Sequence, residues 1–378
     1  MTSADADALP RTDPEHLGVD PDVLADAVAF TKTLDTPREQ VRYDFGDIDQ
    51  WDETEGDHGG RIGPMPDRRG GPSGMVLKDG AVVAEWGDVH RVDHAFSVAK
   101  SFLSLCAGIA FDRGLIADLD SRVGDDVDDD RFEGSHNGRI TWRHLLTQTS
   151  EWRGTLFGKP DEIDRNRAVG KSGELDKADS RELQTPGEFW EYNDVRINVL
   201  AVALLELFGK PLPRVLAHEI GEPIGASRRW EWHGYHTSDV TVDGRRLRSV
   251  SGGGHWGGGL WIPTRDLARF GQLLLQSGAW DGERVLSKEY LDAATTPIEQ
   301  NENYGFLFWL NENRALWPDA PASSFAALGH GQNALWVDPD HELVVAVRWL
   351  RLAENRDEVD HQPNLNALLG RLVDAVAG

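Results

Sequence analysis

Apolar residues recur every three or four positions in several segments of this 378-residue chain, which is the spacing of amphipathic helices. The segments are 21–33, 97–113, 140–149, 195–208, 264–277 and 364–376. The second segment also has a stop signal, because Gly114 follows its last apolar residue. The pattern therefore predicts a helix in each of these segments.

Runs of β-branched and other apolar residues predict strands near both ends of the chain. Residues 74–86 are typical of two strands joined at Asp79-Gly80, since Asp-Gly is a favoured hairpin turn. Near the other end, apolar runs at 334–337 and 343–349 flank a polar turn at 338–340. Strands at both ends with helices between them indicate one mixed α/β domain.

This arrangement predicts a single unit over 18–378. We expect a mixed α/β lobe at about 18–113 and 260–378, and a mainly helical lobe at about 114–259. A cleft between the lobes is the expected site. Residues 1–17 are expected to form a disordered acidic leader, and residues 50–73 a long surface loop. That loop and the segment 153–182 are expected to line the cleft.

The chain is strongly acidic, with 64 Asp and Glu against 39 Lys and Arg, and a net charge of -25. A hydrated carboxylate surface of this kind is typical of adaptation to high salt. The same charge makes nucleic acid and anionic membranes unfavourable partners. No segment reaches about 18 uncharged apolar residues, and the first residues lack a basic, apolar signal, so we expect a cytoplasmic protein.

Metal and disulfide chemistry have little support in the sequence. The single cysteine, Cys106, excludes an intramolecular disulfide, and its place in an apolar helix predicts a buried thiol. The acidic run 125–130 lacks the glycine and the closing glutamate of a calcium loop, which favours a solvated loop. His233 and His236 form a close histidine pair in a Trp-rich segment, and no His-Glu-x-x-His motif is present. We expect no metal and no cofactor.

The strongest chemical signal is Ser97 followed three residues later by Lys100, at the start of a predicted helix. Side chains at this spacing share one face, so an amine can sit beside a hydroxyl. A lysine whose pKa is lowered by burial can take the serine proton, and the helix start favours developing negative charge. The alternative is a chance tetrad. The apolar neighbours Phe96, Val98 and Phe102 favour catalysis, because a solvated lysine is seldom set among them.

Several separated segments resemble, in order, those of penicillin-binding proteins, class C β-lactamases, D,D-peptidases and related esterases. The resemblance covers about 18–378 and implies their fold, an antiparallel sheet flanked by helices with a mainly helical lobe. Residues 329–339 look closest to branches that contain 6-aminohexanoate-dimer hydrolase. The segments that carry the resemblance are 96–101, 140–150, 185–194, 256–270 and 329–339.

The resemblance implies roles for individual residues. Ser97 would be the acylated nucleophile, and Lys100 either the base or the group that keeps the base network correctly charged. Tyr192 would relay a proton, which is chemically sensible because a phenol beside an ammonium ionises more easily. The oxyanion would be held by the Ser97 N–H and by one N–H from the strand that carries the third family motif.

The chain departs from the family at two places. Read without gaps, residues 327–329 replace Lys-Thr-Gly, so Gly329 ends the motif and His330 supplies the N–H; a shifted alignment puts the His330 side chain in place of the lysine and moves the donor to Asn333. Either alignment weakens recognition of a substrate carboxylate. Asp194 replaces the usual Asn, and it either holds Lys100 charged or is one more surface aspartate.

The sequence therefore predicts a salt-adapted serine hydrolase that cleaves a small ester or amide through an acyl-enzyme. A β-lactamase or D,D-peptidase is the alternative enzyme, and a binding or sensor protein of the same fold is the alternative of another class. The sequence leaves the natural substrate and the oligomeric state open.

Overall fold

The structure is a computed structural model that describes residues 9–36, 69–165, 181–253, 258–351 and 362–377. The strands of these residues are β1 (Ser73–Lys78), β2 (Ala81–Trp86), β3 (Val92–His94), β4 (Thr155–Leu156), β5 (Lys159–Pro160), β6 (Glu231–Trp232), β7 (Asp239–Val242), β8 (Arg245–Arg248), β9 (Leu260–Pro263), β10 (Ala279–Trp280), β11 (Glu283–Arg284), β12 (Trp309–Leu310), β13 (Phe325–Gly329), β14 (Asn333–Asp338) and β15 (Leu343–Arg348).

The α-helices of the same residues are α1 (Pro21–Lys32), α2 (Val98–Asp112), α3 (Val123–Asp126), α4 (Trp142–Leu146), α5 (Asp194–Phe208), α6 (Leu212–Leu216), α7 (Thr264–Leu275), α8 (Lys288–Ala294) and α9 (Pro363–Ala377). Every predicted helix is confirmed, although the one expected at 140–149 is only the short α4. Three-residue or four-residue 3-10 turns cover Pro14–Leu17, Asp130–Phe132, Asn137–Arg139 and Asp161–Asp164, and a π-helical turn covers Ala217–Gly221.

The main sheet has six antiparallel strands in the order β12-β13-β14-β15-β1-β2. The β1–β2 hairpin turns at Asp79 and Gly80, whose φ values of 51° and 78° suit the right-handed twist of its strands. β1 pairs on its other side with β15, so that Val76 lies opposite Val345. The sheet is therefore completed by strands from both ends of the chain, and the predicted mixed α/β class is confirmed.

Two helices pack on the sheet beside each other. α7 packs on β1, β14 and β15, and α2 packs on β13 and β14; the ring centres of Phe270 in α7 and Phe102 in α2 are 4.6 Å apart. A Cβ atom on Gly271 would lie 2.4 Å from Val344 Cγ1, so α7 sits very close to the strands. Apart from the edge strand β2, the longer strands of the sheet are almost wholly buried, which explains the continuous apolar sequences of β14 and β15. The core thus fixes the ends of β13 and α2 against each other.

Residues 9–17 correct the predicted leader. Leu9 is buried, Arg11 forms a bridge with Val82, and Pro14–Leu17 is a 3-10 turn, so this part of the segment is ordered against β2. Residues 1–8 lie outside the described residues, as do 50–68 of the predicted surface loop, 166–180 of the segment 153–182, and residues 37–49 and 254–257. The division into two lobes stays a prediction.

Other predictions for the middle of the chain have mixed outcomes. Cys106 is buried, as expected, and burial raises the pKa of its thiol. The acidic run is not a plain loop, because it contains α3, and Asp126 accepts a hydrogen bond from Trp142 Nε1 at 2.7 Å. Asp129 caps the following 3-10 turn. In the described part of the chain, no helix has the length and apolar character to cross a membrane.

Candidate active site

Ser97 lies between β3 and α2, and it is the one partly exposed residue in the buried run 93–110. Its backbone is already helical, with φ -66° and ψ -8°, and its side chain makes no capping hydrogen bond. The Ser97 hydroxyl therefore does not serve as the cap of α2. The N–H groups of Val98, Ala99 and Lys100 bond to preceding carbonyl oxygens, so it is the positive end of the helix dipole that favours negative charge at this oxygen.

Two glycines pack very closely against the turn that precedes Ser97. Phe96 has a φ of 51°, in the left-handed region that bulky residues rarely adopt. A Cβ atom on Gly329 would lie 2.2 Å from the carbonyl oxygen of Ala95, and one on Gly258 would lie 2.7 Å from that of Phe96. Only glycine permits such close approach. The strained turn is thus held from two sides.

Lys100 is buried one helical turn after Ser97, as the spacing predicted. Its Nζ donates to Ser97 Oγ at 3.0 Å and pairs with Asp194 Oδ1 at 2.6 Å. Nζ also lies 4.6 Å from the ring centre of Tyr192. Burial by itself lowers the pKa of Lys100, but electrostatic attraction and hydrogen bonds from Asp194 and Tyr192 outweigh burial and raise that pKa. Lys100 is therefore an ammonium ion at neutral pH.

Tyr192 and Asp194 meet this ammonium from the start of α5. Asn193 is the N-cap, and its side chain accepts a hydrogen bond from Arg196 N at 3.1 Å, which places Asp194 at the first helical position. Tyr192 is 5% exposed and stacks on Trp309, with ring centres 5.9 Å apart. Tyr192, just before α5, and Asp194, at the first position of α5, thus place a phenol and a carboxylate beside the ammonium of Lys100.

Gln148 holds this loop, although the sequence did not single it out. Its Oε1 accepts a hydrogen bond from Asn193 N at 2.8 Å, and its Nε2 donates to Tyr304 Oη at 2.8 Å. The backbone of Gln148 has a φ of 58°. A left-handed non-glycine residue is maintained only when its surroundings fix it, and such residues cluster at functional sites.

Gly253 was likewise missed, because only its position against the ion pair reveals its importance. A Cβ atom there would lie 2.4 Å from Asp194 Oδ1 and 2.6 Å from Lys100 Nζ. The carbonyl oxygen of Gly253 accepts hydrogen bonds from Asn198 Nδ2, Tyr235 Oη and Ser251 Oγ at 3.0, 2.5 and 2.9 Å, respectively. These bonds hold the glycine where it leaves room for the ion pair.

Gly329 and His330 lie at the tip of the β13–β14 hairpin. Gly329 ends β13 and pairs with Asn333. His330 is exposed, and its ring contacts Phe96 edge-on with ring centres 5.4 Å apart. Its carbonyl oxygen accepts a hydrogen bond from Asn333 Nδ2 at 2.6 Å. Ala327, which takes the place of the family lysine in the gapless alignment, is 1% exposed.

The histidine pair lies elsewhere. His233 and His236 line a surface cavity of about 430 Å³ together with Trp232 and Arg248. His233 Nε2 is 2.7 Å from Glu231 Oε2. Within the described ranges, no group of three or more His, Cys, Asp or Glu side chains is arranged to hold a metal ion.

A serine and a lysine one helical turn apart, at the edge of a helix-covered antiparallel sheet, define a class of serine hydrolases. The chain belongs to the Beta-lactamase family, whose model matches residues 61–369. This match covers most of the chain and confirms the resemblance that the sequence motifs indicated.

Solved structures of other proteins have a similar fold. A penicillin-binding protein homologue from Caulobacter crescentus has 15% identity and a TM-score of 0.60, with 95% of this chain and 99% of that chain covered. A protein from Bacillus anthracis, provisionally described as a 6-aminohexanoate-dimer hydrolase, has 17% identity and a TM-score of 0.57, with 81% and 78% covered. A D-stereospecific amidohydrolase from a Streptomyces species has 19% identity and a TM-score of 0.51, with 75% and 90% covered. At these identities the likeness shows the fold alone.

Proposed function

We propose that this protein cleaves a small ester or amide through an acyl-enzyme formed on Ser97. The observation that carries the proposal is a partly exposed serine hydroxyl, 3.0 Å from a buried lysine Nζ, at the start of a helix. A structural serine at this place would cap the helix, whereas Ser97 makes no such bond. Fold relatives described as amidohydrolases and hydrolases agree with this choice of reaction.

In this mechanism Lys100 is a fixed cation rather than the base. Its pairing with Asp194 keeps it protonated, so it has no lone pair for the serine proton. Tyr192 takes that proton while the nearby ammonium stabilises its negative charge, and then gives the proton to the leaving oxygen or nitrogen. In deacylation the same transfers run in reverse: Tyr192 takes a proton from water, the water oxygen attacks the acyl carbon, and Tyr192 returns the proton to the departing Ser97 oxygen. Asp194 and Gly253 keep the cation in place.

The oxyanion hole is assigned to the Ser97 N–H and the His330 N–H. The gapless alignment is supported by the close approach of Gly329 to Ala95, which brings the end of β13 against the Ser97 turn. In that alignment Ala327 stands where relatives use a cation for a substrate carboxylate. We therefore favour simple esters and amides over β-lactams and D,D-peptides.

The test is the intact mass of the wild type and of Ser97→Ala after brief exposure to a fluorophosphonate in molar KCl. We expect one adduct on the wild type and none on the variant, because only an activated serine hydroxyl attacks the probe quickly. Molar salt is used because the net charge of -25 favours folding in high salt. Initial rates on esters, amides and a β-lactam then rank the substrate classes.

Equal labelling of both proteins, or none, would contradict the proposal and favour a binding protein of this fold. Faster turnover of β-lactams than of simple esters would overturn the substrate preference while leaving Ser97 as the nucleophile.

Asp194→Asn is expected to bring the basic limb of the pH profile into a measurable range. Without the carboxylate, burial acts on Lys100 with less opposition and its pKa falls, so the ammonium is lost at a lower pH. The wild type should keep its kcat/KM further into the basic range than the variant, since its lysine pKa is raised above the ordinary value by Asp194 and Tyr192. The variant should lose activity roughly 1–3 pH units earlier.

The matched control is Asp120→Asn, which removes the same charge from an exposed ion pair with Arg143. Its profile should follow that of the wild type. A gain of activity with rising pH in Asp194→Asn that the wild type does not show would indicate instead that the neutral amine of Lys100 is the base.

A further inference from the structure

A set of charged side chains that the mechanism does not use lies next to residues 184–193, the segment that carries Tyr192. Glu151 and Glu191 are fully buried, and both contact Arg196, which is 2% exposed. Arg196 Nη1 is 2.7 Å from Glu151 Oε1 and 3.2 Å from Glu191 Oε2. A second guanidinium, that of Arg181, lies 2.6 Å from Glu151 Oε2 and 2.7 Å from Glu191 Oε2. Two carboxylates are thus clamped between two arginines.

This four-residue ion cluster of Glu151, Arg181, Glu191 and Arg196 is extended by Asp161, which lies 3.3 Å from Arg196 Nη2. The arginines hold Glu151 ionised: burial would raise the pKa of its carboxyl, but hydrogen bonds and charge from both arginines lower it. Glu151 therefore stays a carboxylate between the two guanidinium groups.

The cluster acts on a segment that has no regular structure of its own. Residues 184–193 form neither helix nor strand, yet Tyr192 in this segment must meet Lys100. The residue before Tyr192 is Glu191, fixed by two guanidinium groups. The residue after it is Asn193, fixed by Gln148 and by a hydrogen bond from its Nδ2 to Asp161 O at 3.0 Å. Both neighbours of the phenol are therefore anchored.

Buried ion pairs contribute little net folding stability, because the cost of removing the charges from water offsets their attraction. Their strength is in fixing geometry, since a bidentate guanidinium accepts few orientations. We propose that Glu191, held by Arg181 and Arg196, is a positioning residue that sets the place of the Tyr192 phenol. This inference rests on the proposed function, in which Tyr192 hands a proton to the leaving group.

The positioning role of Glu191 can be tested by comparing substrates that differ only in their leaving group. A p-nitrophenyl ester departs without a proton, whereas an ethyl ester or an anilide of the same acid needs one. In Glu191→Gln, kcat/KM should fall on all three substrates, because Tyr192 also takes the Ser97 proton, but the fall on the ethyl ester and anilide should be about 10-fold larger than on the p-nitrophenyl ester. Glu162→Gln, which removes a 70% exposed carboxylate near Arg165, is the control and should match the wild type on all three.

Arg181→Gln keeps the inference testable if Glu191→Gln does not fold. Arg181 lies at the outer side of the cluster, is 17% exposed, and leaves Arg196 on Glu191 when removed. It should show the same selective loss to a smaller degree. Equal losses on all three substrates, or no loss, would make Glu191 merely structural while the proposed function stands. Absence of Ser97-dependent turnover in the wild type would overturn both.

Discussion

Replacement of Lys100 by methionine should lower Ser97-dependent hydrolysis by about 10³-fold or more. Methionine fills the same buried space, but it supplies no charge beside Ser97 Oγ and no cation for the phenol of Tyr192. Both steps that move a proton lose their electrostatic support. The measurement is kcat/KM on an ester and an amide, together with the rate of fluorophosphonate labelling.

Stability must be separated from chemistry in this variant. Lys100→Met alone leaves the buried carboxylate of Asp194 without its cation, which costs about 3–5 kcal/mol of folding free energy. The double variant Lys100→Met with Asp194→Asn removes both charges and should recover most of the melting temperature. It should not recover activity. A double variant that hydrolyses esters at more than about a tenth of the wild-type rate would remove Lys100 from the mechanism.

Gly329→Ala should lower kcat/KM by about 100-fold or more, because it separates the two N–H groups proposed to form the oxyanion hole. The new methyl group would lie 2.2 Å from the carbonyl oxygen of Ala95, and this backbone atom cannot move without moving the Ser97 turn. The end of β13 must shift away, and the His330 N–H shifts with it. Gly329 does not have a positive φ, so the effect is steric rather than conformational.

Gly71→Ala is the matched control, since a Cβ atom there meets no atom of the described residues within 4 Å and the residue also lacks a positive φ. Its activity should equal that of the wild type. The melting temperature of Gly329→Ala is measured alongside, because displacing β13 also loosens the sheet. Full activity in a folded Gly329→Ala protein would exclude the His330 N–H as the second donor.

The parts of the molecule that could be predicted are those where a local pattern decides the outcome. The periodic helices and the Asp-Gly hairpin follow from spacing and turn chemistry, and Lys100 lies one turn after Ser97 wherever that helix forms. Short strands such as β3 and β9 were not predicted, because three or four residues carry too little pattern. Their pairing is decided by tertiary contacts.

The remainder of the site depends on distant segments that meet only in the folded chain. Gly253 is one glycine among 40, and only its position beside Lys100 and Asp194 distinguishes it. Glu191 is one charged residue in an acidic chain until its two arginines surround it. The motif resemblance pointed to Tyr192 and Asp194, but the ion pair that decides the charge of Lys100 required the structure.

The sheet order also has a consequence for biosynthesis. β1 lies between β2, which follows it at once, and β15, which the ribosome makes about 270 residues later, or roughly 15–50 s at ordinary rates of translation. During that time β1 is an apolar edge with no partner on one side. A nascent chain that stalls before residue 343 therefore exposes an aggregation-prone edge instead of folding as a smaller unit.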